Sequence, residues 1–210
     1  MDADAIELRV LGCLLEKQRT TPDQYPLTLN ALRLACNQTT NRDPIVSYDE
    51  REIHEALQRL ARRGWTRVAS GPGSRAAKYR QLFDQELGLD PAATAVLCVL
   101  MLRGAQTPGE LKQRTERSHR FDGLDSVIET LDELIGRDLV QRLDRRPGQK
   151  EERYRHLLGR SEAESSASPA HADATDTRPP TDPLERRVDA LETDVERLRE
   201  ALRSLEERLG

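Results

Sequence analysis

The sequence predicts a mainly helical α+β protein with small β-hairpins, built from two copies of one small domain and a C-terminal coiled-coil helix. The first observation is an internal repeat, in which Leu57 and Leu60 recur as Leu131 and Leu134, 74 residues later. The second is helical apolar spacing followed by strand alternation in each copy. The third is a heptad pattern near the C-terminus. A repeat of this period indicates duplicated structural units.

The spacing of the repeat predicts the domain boundaries. Tyr79 recurs as Tyr154, an offset of 75 residues, whereas Thr21-Pro22 recurs as Thr107-Pro108, an offset of 86. The larger offset predicts an insertion within the first copy. We expect a first domain, a second domain, a disordered linker and a coiled-coil helix at residues 1–85, 86–159, 160–182 and 183–210.

In the first copy, apolar spacing predicts a helix over Ala3–Lys17 and a second helix that begins at the N-cap Thr28. Ser47 and Glu50 predict a capping box at the start of a third helix, which ends at Gly64. The apolar residues expected to face inward on that helix are Ile53, Leu57, Leu60 and Ala61. Strands are predicted at Trp65–Val68 and Ala77–Leu82, and Trp65 is expected to anchor this hairpin to the core.

The second copy repeats the order of elements. Its predicted helices are Pro91–Leu102, Thr107–Thr115 and Leu124–Ile135, and its predicted strands are Leu139–Leu143 and Arg153–Leu157. Three helices followed by a hairpin is the order of a winged helix. In that fold the third helix usually enters the DNA major groove, and the hairpin, or wing, contacts the backbone or the minor groove.

Composition predicts a cytoplasmic protein without a membrane segment. Apolar residues make up 36% of the chain and charged residues 33%, and no run approaches the ~18 apolar residues of a membrane span. The start Met1-Asp2-Ala3-Asp4 lacks the features of a signal peptide. Cys13, Cys36 and Cys98 lie in apolar helical patterns and are expected to be buried thiols in a reducing compartment.

The C-terminal segment predicts a dimer. After a linker rich in Ser, Ala, Asp, Thr and Pro, alternating spacings of four and three residues form an unbroken heptad seam. Val at position a and Leu at position d favour a parallel two-stranded coiled coil, and Arg187 then faces Glu192 of the partner helix. The residues predicted to form the dimer seam are Leu184, Val188, Leu191, Val195, Leu198, Leu202, Leu205 and Leu209.

The charge distribution favours contact with double-stranded DNA. Residues 161–210 carry a balance of −6, and the remainder a balance of +2. Between Ala56 and Phe83 there are seven basic and no acidic side chains, a patch that would neutralise phosphates. The polar loop before the third helix, residues 37–44, adds short hydrogen-bond donors. The candidate DNA contacts are Asn37, Thr39, Thr40, Asn41, Arg42, Arg67, Arg75, Lys78, Arg80, Arg120, Arg145, Arg146 and Lys150.

Other features argue against sequence-specific reading of DNA. The third helices begin with acidic residues, Asp49 and Glu50 in the first copy and Asp122 and Asp125 in the second, whereas groove-reading helices normally present donors there. The simpler interpretation is that these acids cap the helices. His54 has no Cys or second His at metal-ligand spacing, so we expect no metal, no cofactor and no catalytic site.

Several long strings resemble the YceH-like family of bacterial proteins, over about Ile6 to Leu158. The resemblance is carried by residues 7–17, 21–30, 36–44, 103–111 and 147–151. It implies tandem winged helices and a regulatory or nucleic-acid role. Two hypotheses follow. The first is a DNA-associated protein, such as a transcriptional regulator, that binds the DNA backbone through its wings. The second is a protein-interaction scaffold of the type found in chromosome segregation.

Overall fold

The computed structural model describes residues 2–69, 76–145 and 151–159, which form a mainly helical α+β fold with small antiparallel sheets, as predicted. The helices are α1 (Ala5–Thr20), α2 (Leu29–Cys36), α3 (Glu50–Arg62), α4 (Phe83–Glu86), α5 (Pro91–Arg103), α6 (Pro108–Thr115) and α7 (Leu124–Gly136). The strands are β1 (Leu27–Thr28), β2 (Thr66–Val68), β3 (Lys78–Gln81), β4 (Val140–Leu143) and β5 (Arg153–His156). The predicted linker and coiled coil lie outside the described residues.

The first half (residues 2–90) and the second half (residues 91–159) run through corresponding elements. In the first half, β3 lies between β1 and β2, and Leu27 of β1 pairs with Tyr79. In the second half, β4 pairs with β5, and Gln106 forms a bridge to Tyr154. The two tyrosines therefore occupy equivalent strand positions, as their spacing predicted.

The helix caps show that one pair of residues in the predicted repeat was aligned incorrectly. Thr28 caps α2, as predicted, by accepting a hydrogen bond from the Ala31 N–H, and Thr107 caps α6 in the same way. Thr107 thus corresponds to Thr28, not to Thr21, which precedes a separate 3-10 turn. The pairing of the two Thr-Pro sequences was wrong because Thr-Pro is a start signal for either kind of helical turn.

Helix α3 begins later than its predicted capping box. Asp49 and Glu52 form the reciprocal box, with N–O distances of 2.8 Å, so the prediction for Ser47 and Glu50 was wrong by two residues. Ile53, Leu57 and Leu60 are buried, as predicted, whereas Ala61 is exposed and Ala56 is buried instead. Acidic residues at this helix start therefore act as caps, which was the simpler interpretation of the sequence.

Helices α1 and α5 pack against each other and join the cores of the two halves. Gly12 makes this approach possible, because an added Cβ would lie 2.9 Å from the Leu102 side chain. The Cys98 thiol donates to the Gly12 carbonyl oxygen, 3.4 Å away. All three cysteines are buried thiols, as expected. No helix among the described residues has the length and apolar character needed to cross a membrane.

Candidate nucleic-acid interface

The first sheet presents three cations on its outer side. Arg67 of β2 lies directly opposite Arg80 of β3, and Lys78 shares the Arg80 side of the strand because side chains alternate between faces. Arg67 and Lys78 are exposed and Arg80 is half-buried, whereas Thr66 and Gln81 point inward. Arg67, Lys78 and Arg80 are hereafter the basic sheet face. They are three of the predicted DNA contacts; Arg75 lies outside the described residues.

The basic sheet face has no internal counter-charge. In the described ranges, no carboxylate lies within 4.0 Å of any of its three cations. Like charges placed directly opposite each other destabilise a strand pair. An open depression of about 660 Å³ lies beside the two arginines, and no acidic residue of the described chain lines it. The Arg80 Nε is buried and has no hydrogen-bond partner among the described residues. Two adjacent arginines beside a depression with no described acidic residue in its lining are suited to binding an anion.

Tyr25 adds a neutral donor to the same depression. Its hydroxyl oxygen accepts a hydrogen bond from the Gln81 N–H at 2.7 Å. Burial raises the pKa of Tyr25 to about 12. The hydroxyl therefore keeps its proton at neutral pH and can donate it to an anion held by Arg67 and Arg80.

An aromatic pair anchors the hairpin that carries these cations. The Trp65 ring is 6% exposed and meets the fully buried Phe83 ring edge-on, with centroids 5.0 Å apart. The Arg63 guanidinium also lies near the Trp65 ring, 5.5 Å from its centroid. The prediction that Trp65 anchors the hairpin is confirmed. Phe83 belongs to α4, a single helical turn that was not predicted.

Two predicted contacts in the polar loop have structural roles instead. The Arg42 side chain is fully buried and pairs with Glu16, at N–O distances of 2.6 and 3.1 Å. The Asn37 amide is bound at both ends by the backbone of Tyr48. Arg42 was wrongly expected at the surface, because its sequence context shows a polar loop but not the Glu16 carboxylate that draws it inward. Thr39, Thr40 and Asn41 are exposed.

Tertiary packing places a second cationic region beside this loop. Thr40 and Asn41 line a cleft of about 570 Å³ with cations that lie far away in sequence, and the Asn41 side chain accepts a hydrogen bond from Arg103. Burial and the nearby charge of Arg114 lower the pKa of Arg103. These cations are Lys17, Arg103, Arg114 and Arg117. Sequence reasoning missed them; the first three lie in last helical turns, where basic residues are typical partners of the helix dipole.

The second hairpin is closer to neutral than the first. Glu152 lies 3.5 Å from Arg142 and 3.6 Å from the predicted contact Arg145. Arg120 lies 3.4 Å from Glu116, although its side chain is 82% exposed. Arg146 and Lys150 fall outside the described residues. Helix α7 carries four carboxylates, which would repel phosphate: Asp125, Glu129, Asp132 and Glu133.

The basic stretch from Ala56 to Phe83 is also partly neutralised. Arg59 lies 2.8 Å from Asp4, and Arg63 lies 3.4 Å from the buried carboxylate of Glu7. His54 contacts Gln58 at 3.0 Å, and no group of three metal-ligating side chains occurs within the described ranges. Among the described residues of this stretch, the cations without a carboxylate within 4.0 Å are therefore Arg62, which is exposed, and the three of the basic sheet face.

His156 makes stability depend on pH. Burial, assisted by the Arg155 charge, lowers the pKa of His156 from its ordinary value of 6.5 to about 4. The unfolded chain therefore binds the proton first, and stability is lost as pH falls through this window. We expect a loss of up to about 3 kcal/mol in the free energy of unfolding, measured by urea denaturation from pH 7 to pH 4. His156→Gln should remove this part of the pH dependence, whereas His54→Gln should retain it; equal profiles for both variants would contradict the assignment.

The comparisons with known proteins identify a family. A family model described as "Protein of unknown function, DUF480" matches residues 3–149. The chain is 46% identical over 213 residues to the UPF0502 protein YceH of Escherichia fergusonii and 45% identical over 214 residues to a UPF0502 protein of Cronobacter sakazakii. Each alignment covers 98% of this chain and 97% of the relative. A UPF0502 protein of Enterobacter sp. is 44% identical over 214 residues, with the same coverage. The chain therefore belongs to the UPF0502 family of bacterial proteins, also described as DUF480.

Proposed function

We propose that this protein is a non-enzymatic, cytoplasmic tandem winged-helix protein that binds the backbone of double-stranded DNA, with transcriptional regulation as its role. The order of three helices and a hairpin in each half supports the winged-helix interpretation. The short strand before α2 that pairs with β3, and the bridge from Gln106 to Tyr154, support it further.

The observation that carries the proposal is the basic sheet face. Its three cations lack carboxylate partners in the described chain, and an open depression with a neutral tyrosine hydroxyl adjoins them. Duplex DNA offers regularly spaced phosphates that satisfy all of these groups. Thr39 and Thr40 of the polar loop, both exposed, supply further short donors.

Acidic residues limit how this protein engages DNA. The carboxylates of α7 keep that helix out of the groove, and α3 begins with acids engaged in capping. Binding therefore depends on phosphate contacts from the first half and has little base specificity.

The test is a salt series with a triple variant. We expect Arg67→Gln/Lys78→Gln/Arg80→Gln to abolish most binding to a random duplex, measured by fluorescence anisotropy of the labelled DNA. The slope of log affinity against log salt should fall by roughly 2–3, about 0.9 for each phosphate that is no longer neutralised. Heparin should displace the parent protein.

The matched control removes three cations that already have carboxylate partners. Arg51→Gln/Arg137→Gln/Arg142→Gln loses the same charge from positions outside the candidate contacts and should bind nearly as tightly as the parent. A triple variant of the basic sheet face that binds like this control would refute the proposed interface.

The second candidate function is a protein-interaction scaffold. It is favoured by the four carboxylates on α7 together with Leu124, which is 46% exposed at the start of that helix. A mixed acidic and apolar face suits a basic protein surface. Absence of any salt-dependent duplex binding by the parent protein would favour this function over the first.

Dimerisation through residues 183–210 is proposed from the heptad seam alone. A dimer would place two basic sheet faces on one DNA molecule and raise the apparent affinity. We expect removal of 183–210 to halve the mass measured by light scattering and to leave unfolding of the remaining chain unchanged. An unchanged mass would count against the coiled coil.

A further inference from the structure

Three charged side chains of the described chain are buried, and one of them lacks an opposite charge. Glu7 is approached by Arg59 and Arg63, and Arg42 pairs with Glu16. Arg9 is 4% exposed, and no carboxylate of the described ranges lies within ion-pair distance of it. Buried arginines are rare unless they are paired, so Arg9 needs an explanation.

The contacts of Arg9 hold the guanidinium in place without neutralising it. One terminal nitrogen donates to the Cys36 carbonyl oxygen at 3.2 Å, and the other donates to the Pro44 carbonyl oxygen at 2.6 Å. A guanidinium has five N–H donors. The Arg9 guanidinium is held in a fixed orientation and has spare N–H donors, so it is suited to binding a carboxylate through paired hydrogen bonds.

Arg9 lines a cavity of about 410 Å³ between the two halves. Its wall comes from α1 and the polar loop on one side, and from α5, β4 and β5 on the other. The volume is within the range of about 300–1,000 Å³ that is typical of small-molecule sites. Most of the wall is apolar; the larger apolar side chains are Leu8, Pro44, Leu100, Met101, Leu143 and Leu157.

Other polar side chains also line the cavity. Arg155 lines the cavity and donates to the Gln141 side-chain oxygen at 2.9 Å. The Nδ1 of His156 accepts from the Leu158 N–H at 3.4 Å, which assigns the ring proton of the neutral form to Nε2. Among the described lining residues, the acidic one is Asp43, and it is exposed to solvent.

We propose that this cavity binds a small organic carboxylate with an apolar body, whose carboxylate pairs with Arg9. The apolar part would lie against Leu100 and Met101 of α5. Because α1 belongs to the first half and α5 to the second, the ligand would contact both and stabilise their packing. This inference is independent of DNA binding.

The test uses the full chain and three probes of equal length: octanoate, octanol and octylamine. We expect octanoate to bind about tenfold more tightly than either of the others, measured by isothermal titration calorimetry. Octanoate should also shift amide signals of residues at the cavity wall in two-dimensional NMR. Equal binding of octanoate and octanol, or no binding of any probe, would overturn the proposal.

Substitutions test whether the ligand's carboxylate pairs with Arg9. Arg9→Met should remove the preference for octanoate over octanol, whereas Arg19→Met, which removes a cation near the other end of α1, should retain it. A second variant keeps the test valid if Arg9→Met does not fold. Ala105→Leu narrows the cavity from its wall and should weaken octanoate binding at least severalfold; unchanged binding would place the ligand elsewhere and overturn the proposal.

Discussion

Replacing Glu16 with glutamine is expected to lower the free energy of unfolding by about 3–5 kcal/mol, because it leaves the Arg42 guanidinium buried without its carboxylate. The Arg42 side chain is 0% exposed and that of Glu16 is 19% exposed, so water replaces little of the lost interaction. Arg42 also donates to the Ala35 carbonyl oxygen at 3.2 Å. The pair thereby ties the polar loop to α1 and α2. Urea denaturation monitored by circular dichroism measures the change.

The pH dependence gives an independent check on this pair. Burial acts to raise the pKa of Glu16, but the hydrogen bonds and charge of Arg42 outweigh it and hold the pKa below its ordinary value. The stability that this carboxylate contributes is therefore present at neutral pH and is lost as pH falls below the unfolded value of about 4.5. The difference between Glu16→Gln and the parent should accordingly shrink in acid.

An exposed ion pair serves as the control for Glu16. Glu55 lies 3.0 Å from Arg51, whose side chain is 86% exposed. Glu55→Gln should lower the free energy of unfolding by only about 0.3–0.5 kcal/mol. A loss for Glu16→Gln as small as that of the control would mean that the Arg42 environment is not the buried one described above.

Phe83→Ala is expected to destabilise the protein by about 3–5 kcal/mol, since it empties a fully buried site and removes the edge-on packing with Trp65. The same change should weaken DNA binding under folded conditions, because Trp65 and Phe83 support the hairpin of the basic sheet face. Thermal denaturation measures the stability, and anisotropy at a temperature well below the transition measures the binding.

Two further substitutions serve as controls for Phe83→Ala. Phe83→Leu retains much of the buried volume and should be clearly milder. Val68→Ala removes a side chain of the same hairpin that is 57% exposed, and should change the free energy of unfolding by no more than about 0.5 kcal/mol. If Phe83→Ala behaved like Val68→Ala, the aromatic pair would not be the anchor of the hairpin.

Local signals in the sequence predicted the elements with small errors at their ends. Helix α6 was predicted at Thr107–Thr115 and lies at Pro108–Thr115, because the cap, the proline and the capping-box glutamate act over a few adjacent residues. The cap of α3 was misplaced since Ser47 and Asp49 both precede a glutamate at the right spacing. Packing of Ile53 and Ala56 against the core selects Asp49.

The residues of the candidate site were predictable only where local sequence signals decide their environment. Arg67, Lys78 and Arg80 were identified because they lie in a stretch with seven basic and no acidic residues, a property of the local sequence. Arg42 was misassigned, and Arg103 and Arg114 were missed, because their environments depend on contacts with residues distant in sequence.

The sequence by itself determined the duplicated helical and hairpin units, the Thr28 cap and the charge of the first hairpin, because each depends on periodicity or on interactions across a few residues. The tertiary structure decided which cations remain accessible and which are buried, and it created the cavity beside Arg9. The physical reason is that burial and ion pairing arise where α1 meets α5 and the polar loop, and these segments are brought together by the packing of apolar side chains.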